Sequence, residues 1–200
     1  FTISYNLWGG SQWPGASIDP DENVLYVTSH NLPTKFKVFK SFDINKNLEF
    51  STNFLSIGKN NKLDDIEGYP GVKPPWGSLT AINLNSGKIL WQVPLGYFDK
   101  LKEKGFPDTG TANFGGATAS SGDLIFASGT LDKLIRAFDA KTGAVLWSHK
   151  LPYIGSAPPS IYKVKNEQYV VVPATGGWSL SKIYPDLVEQ GDAFVAFKLK

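Results

Sequence analysis

Two stretches of this chain carry one pattern: an apolar strand, an Asn or Asp, a Ser-Gly or Thr-Gly turn, and an aliphatic strand ending in Trp. The first reads Leu79-Thr80-Ala81-Ile82-Asn83-Leu84-Asn85-Ser86-Gly87-Lys88-Ile89-Leu90-Trp91. The second reads Ile135-Arg136-Ala137-Phe138-Asp139-Ala140-Lys141-Thr142-Gly143-Ala144-Val145-Leu146-Trp147 and starts 56 residues later. Glycine supplies the left-handed residue of a tight hairpin, and the preceding Asn or Asp can accept hydrogen bonds from the turn amides. Both copies run on into Pro-containing segments, Gln92-Val93-Pro94-Leu95-Gly96 and His149-Lys150-Leu151-Pro152. Self-similarity of this kind means that one small unit is built more than once.

Each cassette supplies two strands of a larger unit. Residues 13–18 and 24–29, the second a run of β-prone residues, complete a first unit over 13–96, interrupted by a long insertion at 31–77. A hairpin is expected within residues 35–50 of that insertion. The second unit is compact: strands at 115–120, 123–128, 133–139 and 144–150 fill residues 115–152. A third, over 155–200, has strands at 157–164, 168–174 and 193–199, a loop at 175–192, and no fourth strand. A repeated four-stranded antiparallel unit predicts an all-β fold, a partial β-propeller. Trp91 and Trp147 are expected at equivalent positions, mostly buried where one unit docks on the next. Three units cannot close a ring, so further polypeptide is expected to complete it, with residues 1–12 as an alternative donor of the missing strand or the tail of an earlier unit.

Composition narrows the partners. The 200 residues are 42% hydrophobic and 14% aromatic, enough to bury a substantial core. The formal net charge is only +2, and the lysines and the single arginine, Arg136, are scattered among acids. No basic stripe of the sort that tracks nucleic acid is present. Apolar runs such as Tyr169-Val170-Val171-Val172 are of strand length. The absence of Cys excludes disulfides, zinc–thiolate sites and cysteine nucleophiles. The chain begins at Phe1 and contains no Met, so it is expected to be part of a larger polypeptide.

Three stretches carry a resemblance. They are Trp13-Pro14-Gly15-Ala16-Ser17-Ile18-Asp19-Pro20 with the strand at 24–29; Thr109-Gly110-Thr111-Ala112-Asn113-Phe114-Gly115-Gly116 with the strand at 122–127; and the second cassette followed by Ala157-Pro158-Pro159-Ser160, Tyr169-Val170-Val171-Val172 and Gly176-Gly177. In that order they resemble the C-terminal part of the pyrroloquinoline-quinone (PQQ)-dependent dehydrogenases, in the glucose dehydrogenase-like branch. The resemblance implies the last two to three blades of an eight-bladed propeller, with PQQ near its axis and a divalent cation, usually Ca²⁺, beside the quinone. It implies oxidation of a sugar or alcohol hydroxyl, a cytochrome or quinone as electron acceptor, and a periplasmic or otherwise exported protein. The family's catalytic base and the cationic partner of the quinone lie upstream of this stretch. This chain would therefore supply part of the cofactor pocket and the substrate-funnel loops, with no catalytic residue and no metal ligand of its own.

Topology selects the residues that would do so. Loops leading into first strands, at 11–13 and 109–115, and loops joining second to third strands, at 29–77 and 175–192, fall on one face. Asn113, Phe114 and Gly115 are the first cofactor-binding candidates, because PQQ carries carboxylates and quinone oxygens that need amide donors and close backbone approach. Gln12 and Trp13 are the second. The family often has Asn before this Trp, and Gln is one methylene longer. His30, Asn31 and Trp178, with Tyr184, are candidates for the substrate funnel, and a solvated loop position is the alternative for His30. His149, in an outer strand, is expected to be structural. The acidic residues Asp64, Asp65 and Glu67 lack the alternating oxygen ligands of a calcium loop and are expected to be solvated. Two other readings stay open. One is a non-enzymatic propeller scaffold of the same repeats that binds protein partners, from which the long 31–77 insertion argues away; the other is a dehydrogenase relative that has lost its base.

Overall fold

The computed structural model describes residues 2–4, 10–40, 53–56 and 62–198; the side chains of Thr2, Ser4, Gln12, 36–40 and 53–56 lie outside the description. In chain order the strands are β1 (Thr2–Ser4), β2 (Gly10–Asp19), β3 (Val24–His30), β4 (Thr34–Lys40), β5 (Asn53–Ser56), β6 (Gly77–Asn83) and β7 (Ile89–Pro94). They continue with β8 (Ala117–Ser120), β9 (Leu124–Ala127), β10 (Leu134–Asp139), β11 (Val145–Lys150), β12 (Ser160–Val164), β13 (Glu167–Ala174) and β14 (Ala193–Lys198). Two short helices, α1 (Asp99–Glu103) and α2 (Trp178–Ile183), sit in connections. Among the described residues no helix is long and apolar enough to cross a membrane.

The strands form antiparallel sheets ordered β2-β3-β6-β7, β8-β9-β10-β11 and β12-β13-β14, plus a small β1-β4-β5 sheet. Period-two burial stacks the three larger ones. Along β3, Val24, Tyr26, Thr28 and His30 are buried and alternate with half-buried neighbours. Val24 and Tyr26 join Leu79, Ala81, Ile125, Ala127 and Phe138 in one core between the first and second sheets. Phe126, Ile135 and Ala137, on the opposite face of the second sheet, join Val170, Val172 and Ala174 of the third in another. The second sheet is therefore buried on both sides, and its registered pairs Phe138↔Ile125 and Ala137↔Phe126 face opposite neighbours.

The two cassettes fold alike. Asn83 Oδ1 accepts from the Ser86 amide at 2.9 Å and its hydroxyl at 3.0 Å. Asp139 Oδ1 accepts from the Thr142 amide and hydroxyl, each at 2.8 Å. Gly87 and Gly143 take the left-handed backbone, at φ 68° and 73°. Trp91 lies opposite Ala81 and Trp147 opposite Ala137, and each pair is followed by a register shift. Trp91 rests on the second sheet's turn: its Nε1 donates to Ala140 O at 3.0 Å, and a Cβ on Gly143 would lie 2.7 Å from its ring.

Four expectations need correction. Trp147 is 38% exposed and Trp91 only half-buried, so the pair is not mostly buried. Trp91 has the next sheet's turn beneath it, whereas no such turn lies beneath Trp147 among the described residues. Trp147 packs instead on His149 (6.1 Å, stacked) and Phe197 (5.1 Å, edge-on). Residues 2–4 neither supply a missing strand nor end an earlier unit, but pair with β4 as Thr2↔Phe36 to Ser4↔Thr34, covering an edge that would otherwise expose its backbone groups. The hairpin of the insertion returns later than residues 35–50, through β5. His30 is 3% exposed, so it is not a solvated loop residue.

The hydrogen bonds of Thr142 hold the Asp139 carboxyl below the usual carboxylate range. With its folded-state value lowered, this carboxylate contributes stability that is fully present above about pH 4 and is lost as the pH falls through the lowered value. Amide protection at residues 141–144 should therefore fall on acidification below about pH 4. The Asn83 turn, which has no titrating group at that position, should keep its protection. Asp139→Asn should remove the difference between the two turns in a hydrogen-exchange series.

Candidate functional site

Antiparallel pairing brings the connections after β3, β7, β9, β11 and β13 to one end of the sheets. There they build a separate aromatic and aliphatic cluster that includes Leu32 and Trp76 from the insertion, Phe98 and Phe114 from the β7–β8 connection, Ile154, and Leu180, Ile183 and Tyr184 from the β13–β14 connection. Phe98 stands edge-on to Tyr69, Trp76 and Tyr184, with centroids 5.2, 5.5 and 6.2 Å away. Burial pushes the Tyr184 phenol well above its ordinary range.

Beside this cluster the first strands of the three sheets converge. Ala119 N donates to Ser17 Oγ at 2.8 Å, tying β8 to β2, and Thr118 Oγ1 donates to Pro159 O at 2.6 Å, tying β8 to the approach to β12. Gly116 marks the closest approach: its φ is +72°, and a Cβ there would stand 2.8 Å from Pro14 and 2.9 Å from Pro158. Gly115 and Gly129 cross so closely that a Cβ on Gly129 would lie 2.0 Å from Gly115 N. Backbone packing requires Gly115 and Gly129, and the two proline rings together with a left-handed backbone require Gly116.

Four of the sequence-predicted residues, Trp13, His30, Asn113 and Phe114, meet at that convergence. Trp13, 75% exposed, leans on buried Phe114 at 6.1 Å, and Phe114 contacts His30 at 5.0 Å. His30 Nδ1 is within hydrogen-bonding reach of the Asn113 backbone, 3.2 Å from its carbonyl oxygen and 3.3 Å from its amide. Asn113 is fully buried, and its Nδ2 donates to Ser29 O at 3.0 Å and Thr111 O at 3.4 Å. Two carbonyls on one side fix the orientation of that amide, leaving Oδ1 buried without a hydrogen-bond partner among the described residues. Gln12 belongs to β2 with its side chain outside the description. Asn31 is exposed, its amide donating to Trp76 O at 2.9 Å. Trp178 opens α2 at 68% exposure, with Lys182 Nζ 5.3 Å from its ring.

The acidic residues are spent locally. Asp65 Oδ1 accepts the amides of Glu67 and Tyr69, Asp64 pairs with Lys62, and Glu67 pairs with Lys104. Among the described residues no group of three metal-binding side chains gathers.

The short β9–β10 connection escaped the sequence reading. Its Asp132 is buried and pairs with Arg136, accepting also from Thr130 Oγ1 (2.6 Å), Leu134 N (3.0 Å) and Tyr97 N (3.1 Å). The available signal was an Asp four residues before an Arg inside an otherwise apolar strand. A cleft of about 460 Å³ adjoins it, lined in part by Tyr69, Tyr97, Phe98, Asp132 and Lys133. Lys133 is engaged with Glu189 at 2.8 Å.

Radially stacked sheets with their first strands converging define a segment of a β-propeller. Residues 2–170 match the model of the glucose/ethanol/alcohol dehydrogenase β-propeller domain, labelled PQQ, and the chain belongs to that family. Among curated relatives it is 32% identical to the glycerol dehydrogenase large subunit of Gluconobacter thailandicus, over 84% of this chain and 26% of that protein. It is 28% identical to the quinate/shikimate dehydrogenase (quinone) of Acinetobacter baylyi and 27% identical to the quinoprotein glucose dehydrogenase of Escherichia coli, in each case over 96% of this chain and 26% of the relative. The chain thus spans about a quarter of their length. Its fold is similar to that of a quinohemoprotein alcohol dehydrogenase from Comamonas testosteroni, with a TM-score of 0.62 at 21% identity, over 94% of this chain and 26% of that one.

Replacing Gly116 by Ala forces a left-handed alanine against two rigid prolines and should destabilise the protein by at least about 2 kcal/mol. Gly122→Ala, whose Cβ would meet only Ser120 Oγ at 3.9 Å, should stay within about 0.5 kcal/mol of the parent. Urea unfolding of the two variants tests the difference.

Proposed function

We propose that this chain is part of a PQQ-dependent dehydrogenase that oxidises a sugar or alcohol hydroxyl, and that it forms one wall of the cofactor pocket and funnel. The observation that carries the reading is the joining of Trp13, Phe114, His30 and the 113–116 segment where the first strands of three sheets meet, in a chain of this family. The relatives are named for oxidising glycerol, quinate or shikimate, and glucose, all hydroxyl compounds. Family membership favours an enzyme over a protein-binding scaffold.

The residues present fit a flat, polyanionic quinone in part. Trp13 offers an exposed aromatic face braced by Phe114, whereas the Gly115-Gly116 backbone is buried against Gly129, Pro14 and Pro158 and serves the packing behind that face. Asn113 suits a different task from the one its amide suggested: with Nδ2 committed to Ser29 O and Thr111 O, it holds the segment against β3 rather than donating to a ligand. When bound, PQQ would accept the hydride from the carbinol carbon. This chain's residues would orient the ring, keep water from one side, and shape the approach through exposed Asn31 and Trp178, with His30 buried behind Phe114 as its support. The catalytic base, the divalent cation (Ca²⁺ by family resemblance) and the remaining blades of an eight-bladed ring would come from the rest of the polypeptide. A cytochrome or quinone acceptor and an exported, periplasmic setting complete the proposal.

The test is a PQQ titration of the full polypeptide, followed by tryptophan fluorescence and by dye-linked oxidation of glucose and glycerol. Trp13→Ala should weaken PQQ binding about three- to tenfold. Asn113→Ala should cost about 1–3 kcal/mol of stability, because the buried carbonyls of Ser29 and Thr111 lose their donor. His149→Ala should change neither. A full-length protein that binds no PQQ would overturn the enzymatic reading in favour of the scaffold.

A further inference from the structure

We infer that the buried Asp132–Arg136 pair is a positioning device, which holds the mouth segment 113–116 in place by clamping both ends of the connection that carries it. Asp132 has no exposed side-chain surface, and Arg136, the only arginine of the chain, is 8% exposed at its side chain. Removing two charges from water costs about as much as their attraction returns, so such a pair is a poor source of net stability, and its orienting effect calls for attention. The donors around the carboxylate supply that effect. Both Arg136 Nη atoms, Thr130 Oγ1 and Leu134 N come from the second sheet, and Tyr97 N comes from the segment leaving the first. Tyr97 is held from a second direction as well, with the guanidinium carbon 5.6 Å from its ring centroid.

The same short connection grips the far end of that segment. Leu131 N donates to Thr111 Oγ1 at 3.2 Å, Phe114 N donates to Gly129 O at 3.3 Å, and Asn113 forms an isolated bridge with Thr130. Residues 97 and 111–114, the beginning and end of the connection, are therefore bonded to residues 129–132. The carboxylate fixes this short loop internally and transmits its position to Tyr97. The guanidinium, anchored in β10, sets the carboxylate. Neither group touches Trp13 or Phe114 in any contact described above, so the pair would act through the backbone of 97–114.

The inference concerns the geometry of this segment and rests on the proposed function only for its second readout. In the full polypeptide, Asp132→Asn should speed hydrogen exchange across residues 97–114 by about tenfold or more, the scale of a lost charge-assisted hydrogen bond. Exchange in β3 and β13 should change by less than about twofold. The PQQ concentration for half-saturation should rise while the rate at saturating PQQ stays within about twofold, because no reacting group has been removed. Arg136→Lys, which keeps the charge without the fork, should fall between the parent and Arg136→Met. Thr111→Val, a milder change that removes the hydroxyl's bonds to Leu131 N and Ala112 O at the far end, should shift exchange of 97–114 in the same direction even if the charge variants fold poorly. Lys141→Ala, at the opposite end of the second sheet, serves as control. Exchange that rises uniformly through all three sheets, or does not change in 97–114, would overturn the inference. Loss of PQQ binding by the parent would defeat the proposed function and leave the exchange result to decide this one.

Discussion

Burial of both faces of one sheet is the constraint on which the rest of this structure depends. The second sheet sends Ile125 and Phe138 toward the first and Phe126, Ile135 and Ala137 toward the third. Strands with two apolar faces cannot stand against water on either side, so this sheet needs a neighbour on each flank. The neighbours then lie face to face, and the interfaces repeat in one direction. The indole of Trp91, lodged on the turn at Ala140 and Gly143, adds a directional bond to that stacking.

Stacking brings the first strands together, and the functional end follows from it. Because every second connection emerges at the same end, the long insertion, the β7–β8 connection and the β13–β14 connection must pack against one another there. They do so through a cluster of their own, centred on Phe98 and its three aromatic neighbours. This satellite core gives the loops the rigidity that a binding wall needs, without drawing on the cores between the sheets. The glycines at 115, 116 and 129 belong to the same solution: the backbones crossing at Gly115 and Gly129, and the proline rings on either side of Gly116, leave no room for Cβ atoms.

Charges divide along the same line. Lys141 pairs with the exposed carboxylate of Asp123 and Lys198 with that of Glu167, and such pairs add little to stability. Among the described residues one pair, Asp132 with Arg136, is enclosed, and it lies where two connections meet. A buried carboxylate satisfied by five donors has few alternative arrangements, so it fixes a geometry more than it lowers a free energy.

Much of this was readable from residue order. The Asn-Ser-Gly and Asp-Thr-Gly turns, the alternation of the strands and the equivalence of Trp91 and Trp147 follow from period-two burial and from glycine's access to the left-handed backbone, which are local properties. The gathering of Trp13, His30, Asn113 and Phe114 at one end was legible in the same way, since strand direction alone decides which connections share a face. What a side chain does there was not legible. Asn113 reads as a ligand donor by its chemistry, but Ser29 O and Thr111 O, the former 84 residues away in sequence, claim its amide. His30 reads as a loop residue, but packing against Phe114 buries it. The exposure of Trp147, the pairing of β1 with β4 and the five-donor shell of Asp132 depend on partners distant in sequence. Hydrogen-bond partners and burial across such separations exist only once the sheets are stacked, so the tertiary structure alone could decide them.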